Sequence, residues 1–322
     1  MGILRYTLNR AVQGLLLILA TMIFLFLLVH LAPGDPIMAL VGDYPHTPEY
    51  EQEMRVRFGL DKPLHVQLVR YLGSAAQLDF GYSFRYQAPV SKVVSERLGA
   101  TLLLMAGAML LAAVIGIMLG LLSSLRAYSI FDNAGTVFAL LGYSIPVFWL
   151  GQMLMLIFAL WLGWLPAQGI TSVRENYTGF NHFVDVLRHL ALPLLVLSTR
   201  YIAINSRMTR ASMLEVLRED YITTARSKGL NERTVILRHA FRNALLPVVT
   251  VIGVNFGFLL SGSALVETVF SWPGVGLLTY KSIDARDYPV LLGVFMMVSI
   301  MVIVVNFISD VVYAFIDPRI RY

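Results

Sequence analysis

Between Arg97 and Arg126 the chain runs without a single charged residue, and no other feature constrains its fold as strongly. A helix rises 1.5 Å per residue, so roughly 20 apolar residues cross the hydrocarbon core of a bilayer. Comparable runs lie at 11–31, 133–162, 190–213, 244–266 and 288–312, and together with 98–125 they predict six transmembrane helices. The fourth is the most interrupted, by Pro193 and Arg200. A chain of 322 residues that is 57% hydrophobic and 14% charged is not a soluble domain. The expectation is an all-α polytopic membrane protein forming one compact bundle. Its expected parts are residues 1–31 (N-terminus and first transmembrane helix), 32–97 (an extracytoplasmic helical segment), 98–313 (a five-helix core containing the segment 214–247) and 314–322 (a tail).

Arg5 and Arg10 precede the first run, and no small-residue cleavage site follows before Pro33, so the run reads as an uncleaved span rather than a signal peptide. Placing the N-terminus inside puts Arg126, Arg207, Arg210, Arg218, Arg226, Lys228, Arg233, Arg238, Arg242, Arg319 and Arg321 on the cytoplasmic side. The two short outer loops then hold only Arg174, Arg188, Lys281 and Arg286, as the positive-inside rule requires. Both termini are therefore expected in the cytoplasm. In the long outer segment, PGDP at 33–36 and the prolines at 45 and 48 are turn chemistry. Residues 49–58, ended by Gly59, and 64–78 are expected helices, the second with Leu64, Leu68, Tyr71, Leu72 and Ala75 on one face. This unit reads equally as a platform for an extracytoplasmic partner or as a cap on the bundle. Trp161 and Trp164 fit an interfacial aromatic belt. A glutamate followed by Ser271, Trp272, Pro273 and Gly274 suggests a folded outer hairpin, or simply a loop with an interfacial tryptophan.

Enzyme chemistry has nothing to stand on. There is no GxxxxGK[ST] phosphate loop, no HExxH, no GxSxG turn and no cysteine, and the six histidines are scattered. No metal site and no catalytic residue is expected.

The segment 220–247 stands out among the loops. Gly229 follows a helical run whose last turn carries Arg226 and Lys228, where a left-handed glycine cap and dipole-complementing cations belong. Asn231 is placed to cap a second helix from Glu232. Upstream, Leu214, Leu217, Tyr221 and Ala225 share one helical face. Such a basic segment is either a solvated connecting loop or a docking surface for a soluble partner.

Within the spans, Gly116 and Gly120 form a GxxxG pair, and Gly253, Gly257 and Ser261 repeat that spacing, which lets helix backbones approach closely. Asn255 and Asn306 are polar at depth and can hydrogen-bond between helices. Arg200 is the expensive residue, about ten residues and roughly 15 Å into the fourth run. A mid-bilayer arginine costs on the order of 2.5–3.5 kcal/mol on insertion scales, so it must face a wet cavity or a partner. The acids Asp132, Glu267, Asp287 and Asp310 all fall near span ends. Three readings stay open: contact with a passing substrate, structural pairing, or a span placed off its true limits.

TARSKG at 224–229 followed by RHAFRNALLP at 238–247 resembles the coupling motif of bacterial ABC-importer permeases, in the form used by the peptide and nickel branch. Thr223, Thr224 and Ala225 stand where the general motif has EAA, and Gly229 falls at the right distance. LAPGDP at 31–36, GLDKPL at 59–64, DFGYS at 79–83, ETVFSWPGVG at 267–276, ARDYPV at 285–290 and the terminal DPRIRY are similar to the same branch, from one end of the chain to the other. An opening span followed by a long outer segment resembles the dipeptide-permease B-type subunit. The resemblance implies a type I ABC-importer permease bundle with a cytoplasmic coupling helix, in a bacterial inner membrane. It implies a pore shared with a second, C-type permease, a binding protein that delivers di- or oligopeptides, and two cytoplasmic ATPases that hold ATP and Mg2+ in place of this chain. A helix over 215–228 would then seat in an ATPase groove through Glu219, Asp220, Thr223, Thr224, Ala225, Arg226, Lys228 and Gly229. Arg200 and Asn255 would line the substrate pathway. Nickel is the alternative cargo, and a passive channel or a membrane scaffold the alternative class.

Overall fold

The computed structural model describes residues 3–31, 47–58, 62–83, 85–172, 175 and 177–316. The expected turns at 33–36 and at Pro45, the glycine stop at Gly59 and the terminal DPRIRY lie outside the described residues. The chain opens with α1 (Ile3–Leu31), α2 (Pro48–Phe58), α3 (Leu64–Ala76) and the short antiparallel strands β1 (Tyr82–Ser83) and β2 (Ala88–Pro89). It continues with α4 (Val90–Leu125), α5 (Ile130–Ser144), α6 (Val147–Leu154) with a π-helical extension over Met155–Trp161, and α7 (Gly179–Val216). Then come α8 (Asp220–Ser227), α9 (Glu232–Thr234), a π-helical stretch (Val235–Ala240), α10 (Phe241–Val269), α11 (Val275–Asp284) and α12 (Tyr288–Ile316). Among the described residues, five helical stretches are long and apolar enough to span a membrane, or six if α5 and α6 count together.

The third span is not the continuous helix that its hydropathy suggests. It is bent by 103° between α5 and α6. Pro146 is the cause: the residue before a proline is driven out of the helical region, and Ile145 sits extended at φ −70°, ψ 127°. Pro193, in contrast, lies inside an unbroken α7. Spanning helices tolerate proline where neighbours satisfy the freed carbonyl. Two helices also overrun their apolar cores: α4 has 36 residues and α7 has 38, each well beyond a bilayer's thickness. Arg200 therefore lies some thirty ångströms into α7 rather than fifteen, at about 1.5 Å per residue from Gly179.

Of the described residues, those up to Thr101 together with 273–308 form one compact unit, and those of 102–272 together with 309–316 another. In the first, Val90, Val93 and Val94 of α4 pack on Val275, Leu278, Val290 and Val294, with Phe80 and Tyr86 against them. Gly293 is required there, because a Cβ would drive into the Val90 side chain. Met22, Leu25, Ala75 and Met296 make a second cluster flanked by Tyr71 and Leu72, so the expected apolar face of α3 is used. Its first member, Leu64, stays exposed. Burial pushes the Tyr71 hydroxyl up to about 12. Two motifs far apart in sequence meet in this unit: Ser83 Oγ donates to Asp287 Oδ2 at 2.6 Å, both residues buried. Asp287 also accepts from Val290 N at 3.4 Å and so caps α12.

In the second unit α7 is the central strut, packed by α4, α5 and α10. Gly116 and Gly120 are where α4 crosses it. A Cβ on Gly116 would lie 2.7 Å from Asn205 Cβ and 2.9 Å from Ile202 O, and one on Gly120 would overlap Ser206 O. This is the close backbone approach that small residues permit. On the far side, Ser212 Oγ donates to Ala244 O of α10 at 2.9 Å. Gly253 and Gly257 are half-buried on α10. The residues around Trp272 form a tight turn: Trp272 N donates to Glu267 O at 2.8 Å, and Trp272 is fully buried rather than interfacial.

Candidate functional site

The expected helix over 215–228 is broken. α7 ends at Val216, and the chain closes that end with bonds from Arg218 N to Glu215 O and from Glu219 N to Val216 O, both 3.1 Å. Glu219 is extended (φ −70°, ψ 144°), and α8 restarts with Asp220 in its first turn, where negative charge complements the helix dipole. The restart rotates the buried face. Ile222 and Ala225, rather than Tyr221 and Ala225, enter a cluster with Met213, Val235, Ala240 and Ala244. Tyr221 stays exposed and accepts a hydrogen bond at 2.8 Å from Asn243 Nδ2, which also donates to His239 O in the π-helical stretch. The guanidinium of Arg226 forks onto Glu232 at 3.2 and 2.7 Å. This raises the Arg226 pKa further, chiefly through those hydrogen bonds.

Gly229 adopts the left-handed conformation expected of it, φ +73°, and its N–H bonds Arg226 O at 2.9 Å. Asn231 Oδ1 accepts from Arg233 N at 3.0 Å, the expected cap. The helix it starts does not stop before the fifth span: α9, the π-helical stretch and α10 run on as one element. The short helix is thus fixed by an apolar cluster that reaches both α7 and α10, and by two polar links to the continuous element of α9 and α10. Glu219, Asp220, Thr223, Thr224, Arg226, Lys228 and Gly229 are exposed, while Ala225 is spent on packing.

Arg200 and Asn255 line one cavity of about 650 Å³, together with Tyr143, Pro146, Tyr201 and Phe258. Residues 142–147, at the break between α5 and α6, form one of its walls. Arg200 is exposed to this space, with its guanidinium 4.9 Å from the centre of the Tyr143 ring and Nη2 3.5 Å from its hydroxyl. Arg207 lies over the same ring at 5.2 Å. An aromatic face attracts a cation, so each arginine recovers part of its lost hydration. Tyr143 and Arg207 escaped sequence reading, since neither periodicity nor spacing links α5 to α7.

Asp132 falls near a span end as expected, but its pairing with Arg210 is not legible from spacing. Its side chain, 2% exposed, accepts two bonds from Arg210 at 2.6 and 2.7 Å and one from Tyr128 N at 2.8 Å. Tyr128, Arg210, Arg218, Glu219 and Asp220 together line a cleft of about 670 Å³ beside the start of α8. Among the described residues no cluster of histidine and carboxylate side chains could hold a metal.

Residues 100–322 match the family of binding-protein-dependent transport system inner membrane components, and residues 3–105 match the corresponding N-terminal family. The chain is 42% identical to the di/tripeptide transport system permease protein DppB of Pseudomonas aeruginosa over 311 residues, 92% of this chain and 93% of that one. It is 41% identical to the dipeptide transport system permease protein DppB of Escherichia coli K12 over 314 residues, with the same coverage. Inward-facing structures of the MetNI methionine ABC transporter share the fold: one superposes with a TM-score of 0.56 at 18% identity, covering 70% of this chain and 96% of that one. The described spans, the tethered helix before Gly229 and these matches over nearly the whole length lead to one conclusion: the chain belongs to the family of binding-protein-dependent transport system inner membrane components.

Proposed function

We propose that this chain is the B-type permease subunit of an ATP-driven importer of di- and oligopeptides, coupled to cytoplasmic ATPases through α8. The peptide cargo rests on the dipeptide and di/tripeptide permeases to which the chain is similar along nearly all its length. The observation that carries the mechanism is the mounting of α8, whose Ile222 and Ala225 are buried beside Met213 of α7 and Ala244 of α10. A displacement of α8 must then move two membrane spans, which is what a lever driven by ATPase closure needs. Both termini and the 214–247 segment lie in the cytoplasm in this reading, with 32–97 outside as a separate segment, 98–313 as the permease core and 314–322 as a tail. Thr223, Thr224, Lys228 and the neighbouring Glu219 and Asp220 form the ATPase-facing surface, while Ala225 holds the lever from inside. Arg200 and Asn255 line the pathway. The chain catalyses nothing itself; ATP and Mg2+ sit on the partner ATPases, the pore is completed by a C-type permease, and an extracytoplasmic binding protein supplies the peptide.

The test is to co-express the chain with its partner subunits and reconstitute the complex in proteoliposomes. Binding-protein-dependent, ATP-dependent uptake of alanyl-phenylalanine is expected. Uptake of Ni2+ alone, or failure to co-purify with any nucleotide-binding subunit, would defeat the proposal. Gly229→Val probes the lever. No atom lies within 4 Å of the added Cβ, so its effect is the cost of a left-handed β-branched residue, about 1–2 kcal/mol. ATP hydrolysis should persist while uptake falls, and Gly229→Asn, which tolerates that conformation, should retain coupling.

A further inference from the structure

The side of α7 that meets α5 carries Arg200, Arg207 and Arg210, and only the last of them has a carboxylate. Arg210 is paired with Asp132, whereas among the described residues no acid lies within ion-pair distance of Arg200 or Arg207. Their shared contact is the face of Tyr143. A π face attracts the cation but leaves the in-plane N–H donors without acceptors, and Arg200 has just one long bond, 3.5 Å to the Tyr143 hydroxyl. A guanidinium whose charge is met by a ring and whose donors lack good acceptors is ready for a planar, two-oxygen anion. The cavity beside Arg200 is walled largely by apolar side chains such as Phe258 and Leu265, with the hydroxyls of Ser144, Thr199 and Tyr201 and the Asn255 amide as further polar groups. That is the make-up of a small-ligand site: apolar surface with a few convergent polar handles.

We propose that Arg200 and Arg207 bind the C-terminal carboxylate of the peptide in transit as two successive steps, from backbone positions about 10 Å apart along α7 whose guanidiniums meet at the Tyr143 ring. The inference rests on the peptide-importer reading above and gives its pathway a chemical handle. A transporter that accepts many side chains needs a group that every cargo shares, and the terminal carboxylate is one. Tyr143 is the positioning residue: its ring meets Arg200 at the cavity wall and Arg207 just beyond the cavity lining. The Asp132–Arg210 pair ends the series, since an arginine already satisfied by a carboxylate cannot compete for the cargo's.

The chain has no cysteine, so Arg200→Cys and Arg207→Cys each add a single reporter thiol to it. In the reconstituted full complex, each variant should assemble and lower ATP-driven uptake of alanyl-phenylalanine by about tenfold or more, the loss of one charged hydrogen-bond partner. A thiosulfonate reagent that attaches an ammonium should restore a large part of uptake, and one that attaches a sulfonate should abolish it. Peptide delivered by the binding protein should slow the labelling. Equal behaviour of the two adducts overturns the proposal, as does wild-type uptake by the unlabelled variants. So does a complex that falls apart on Arg→Cys and is recovered by Arg→Lys without any peptide protection, because the carboxylate then belongs to a neighbouring subunit. A wild-type complex that moves no peptide defeats the parent reading instead, and this one with it.

Discussion

Removing either member of the Asp132–Arg210 pair should destabilise the chain, and by unequal amounts. Breaking a buried ion pair from one side costs about 3–5 kcal/mol, because the survivor is left charged and unmatched. The two survivors differ here. Arg210→Ala strands the Asp132 carboxylate, 2% exposed, with the Tyr128 N–H as its remaining partner, so the cost belongs near 5 kcal/mol. Asp132→Ala leaves a guanidinium that is 28% exposed and stacks over Tyr128 at 6.0 Å, so water and the ring soften the loss toward about 3 kcal/mol. For a unit of this size one kcal/mol corresponds to roughly 2–4 °C, which predicts midpoints lower by about 10–20 °C and 6–12 °C. Thermal unfolding of the purified complex, followed by intrinsic tryptophan fluorescence, measures both. The double variant strands nothing, so it should cost at least about 2 kcal/mol less than the sum of the singles. An additive double variant, or Asp132→Ala proving the worse of the two, would refute the reasoning.

Other perturbations separate packing from chemistry. Gly120→Ala sets a methyl against the Ser206 backbone, which cannot yield as a side chain can, so a loss of about 1–3 kcal/mol is expected. Gly135→Ala, whose new Cβ would meet only Ser123 Oγ at 3.1 Å, should cost less, and comparing the two midpoints checks it. Asn205 is fully buried with neither amide atom hydrogen-bonded, so Asn205→Leu should raise the midpoint by about 1–3 kcal/mol equivalent; a lower midpoint would show that the amide has a partner in the assembled complex. Ser83→Ala should cost about 1.5–3 kcal/mol through the lost bond to Asp287, visible as faster proteolysis of the 77–89 hairpin region.

The spans were legible because bilayer thickness acts on composition alone, and the charge-free runs all came out helical, although the third is broken at Pro146. Their ends were less legible. Nothing in a hydropathy pattern says that α4 continues back to Val90 through Lys92, Glu96 and Arg97, because that turn is held by packing of Val90, Val93 and Val94 on distant residues. The same limit explains α8. Helical periodicity through Leu214, Leu217, Tyr221 and Ala225 is real, yet burying Ile222 against Val235 and Ala240 requires the break at 217–219, and those partners are set by tertiary contact. Local backbone signals fared better. Gly229 and Asn231 act within three residues of themselves, and both took the conformations their chemistry demands.

Arg200 shows how a site can be half visible in a sequence. Its cost in hydrocarbon marks it whatever its neighbours are, since insertion energy depends on depth and charge. What relieves that cost is a ring 57 residues upstream, brought alongside by the packing of α5 on α7. Arg207 carries the same charge, but it blended into the basic side of the chain when positive charges were used to set orientation. Charge that sets topology and charge that meets cargo are indistinguishable by count. They separate once each arginine is asked for its acceptor: Arg210 and Arg226 have carboxylates at 2.6–2.7 Å, and Arg200 and Arg207 have a shared ring. Cations left with unused donors gain most from an anion that comes and goes, so these two arginines, and not the paired ones, are where substitution should change transport more than stability.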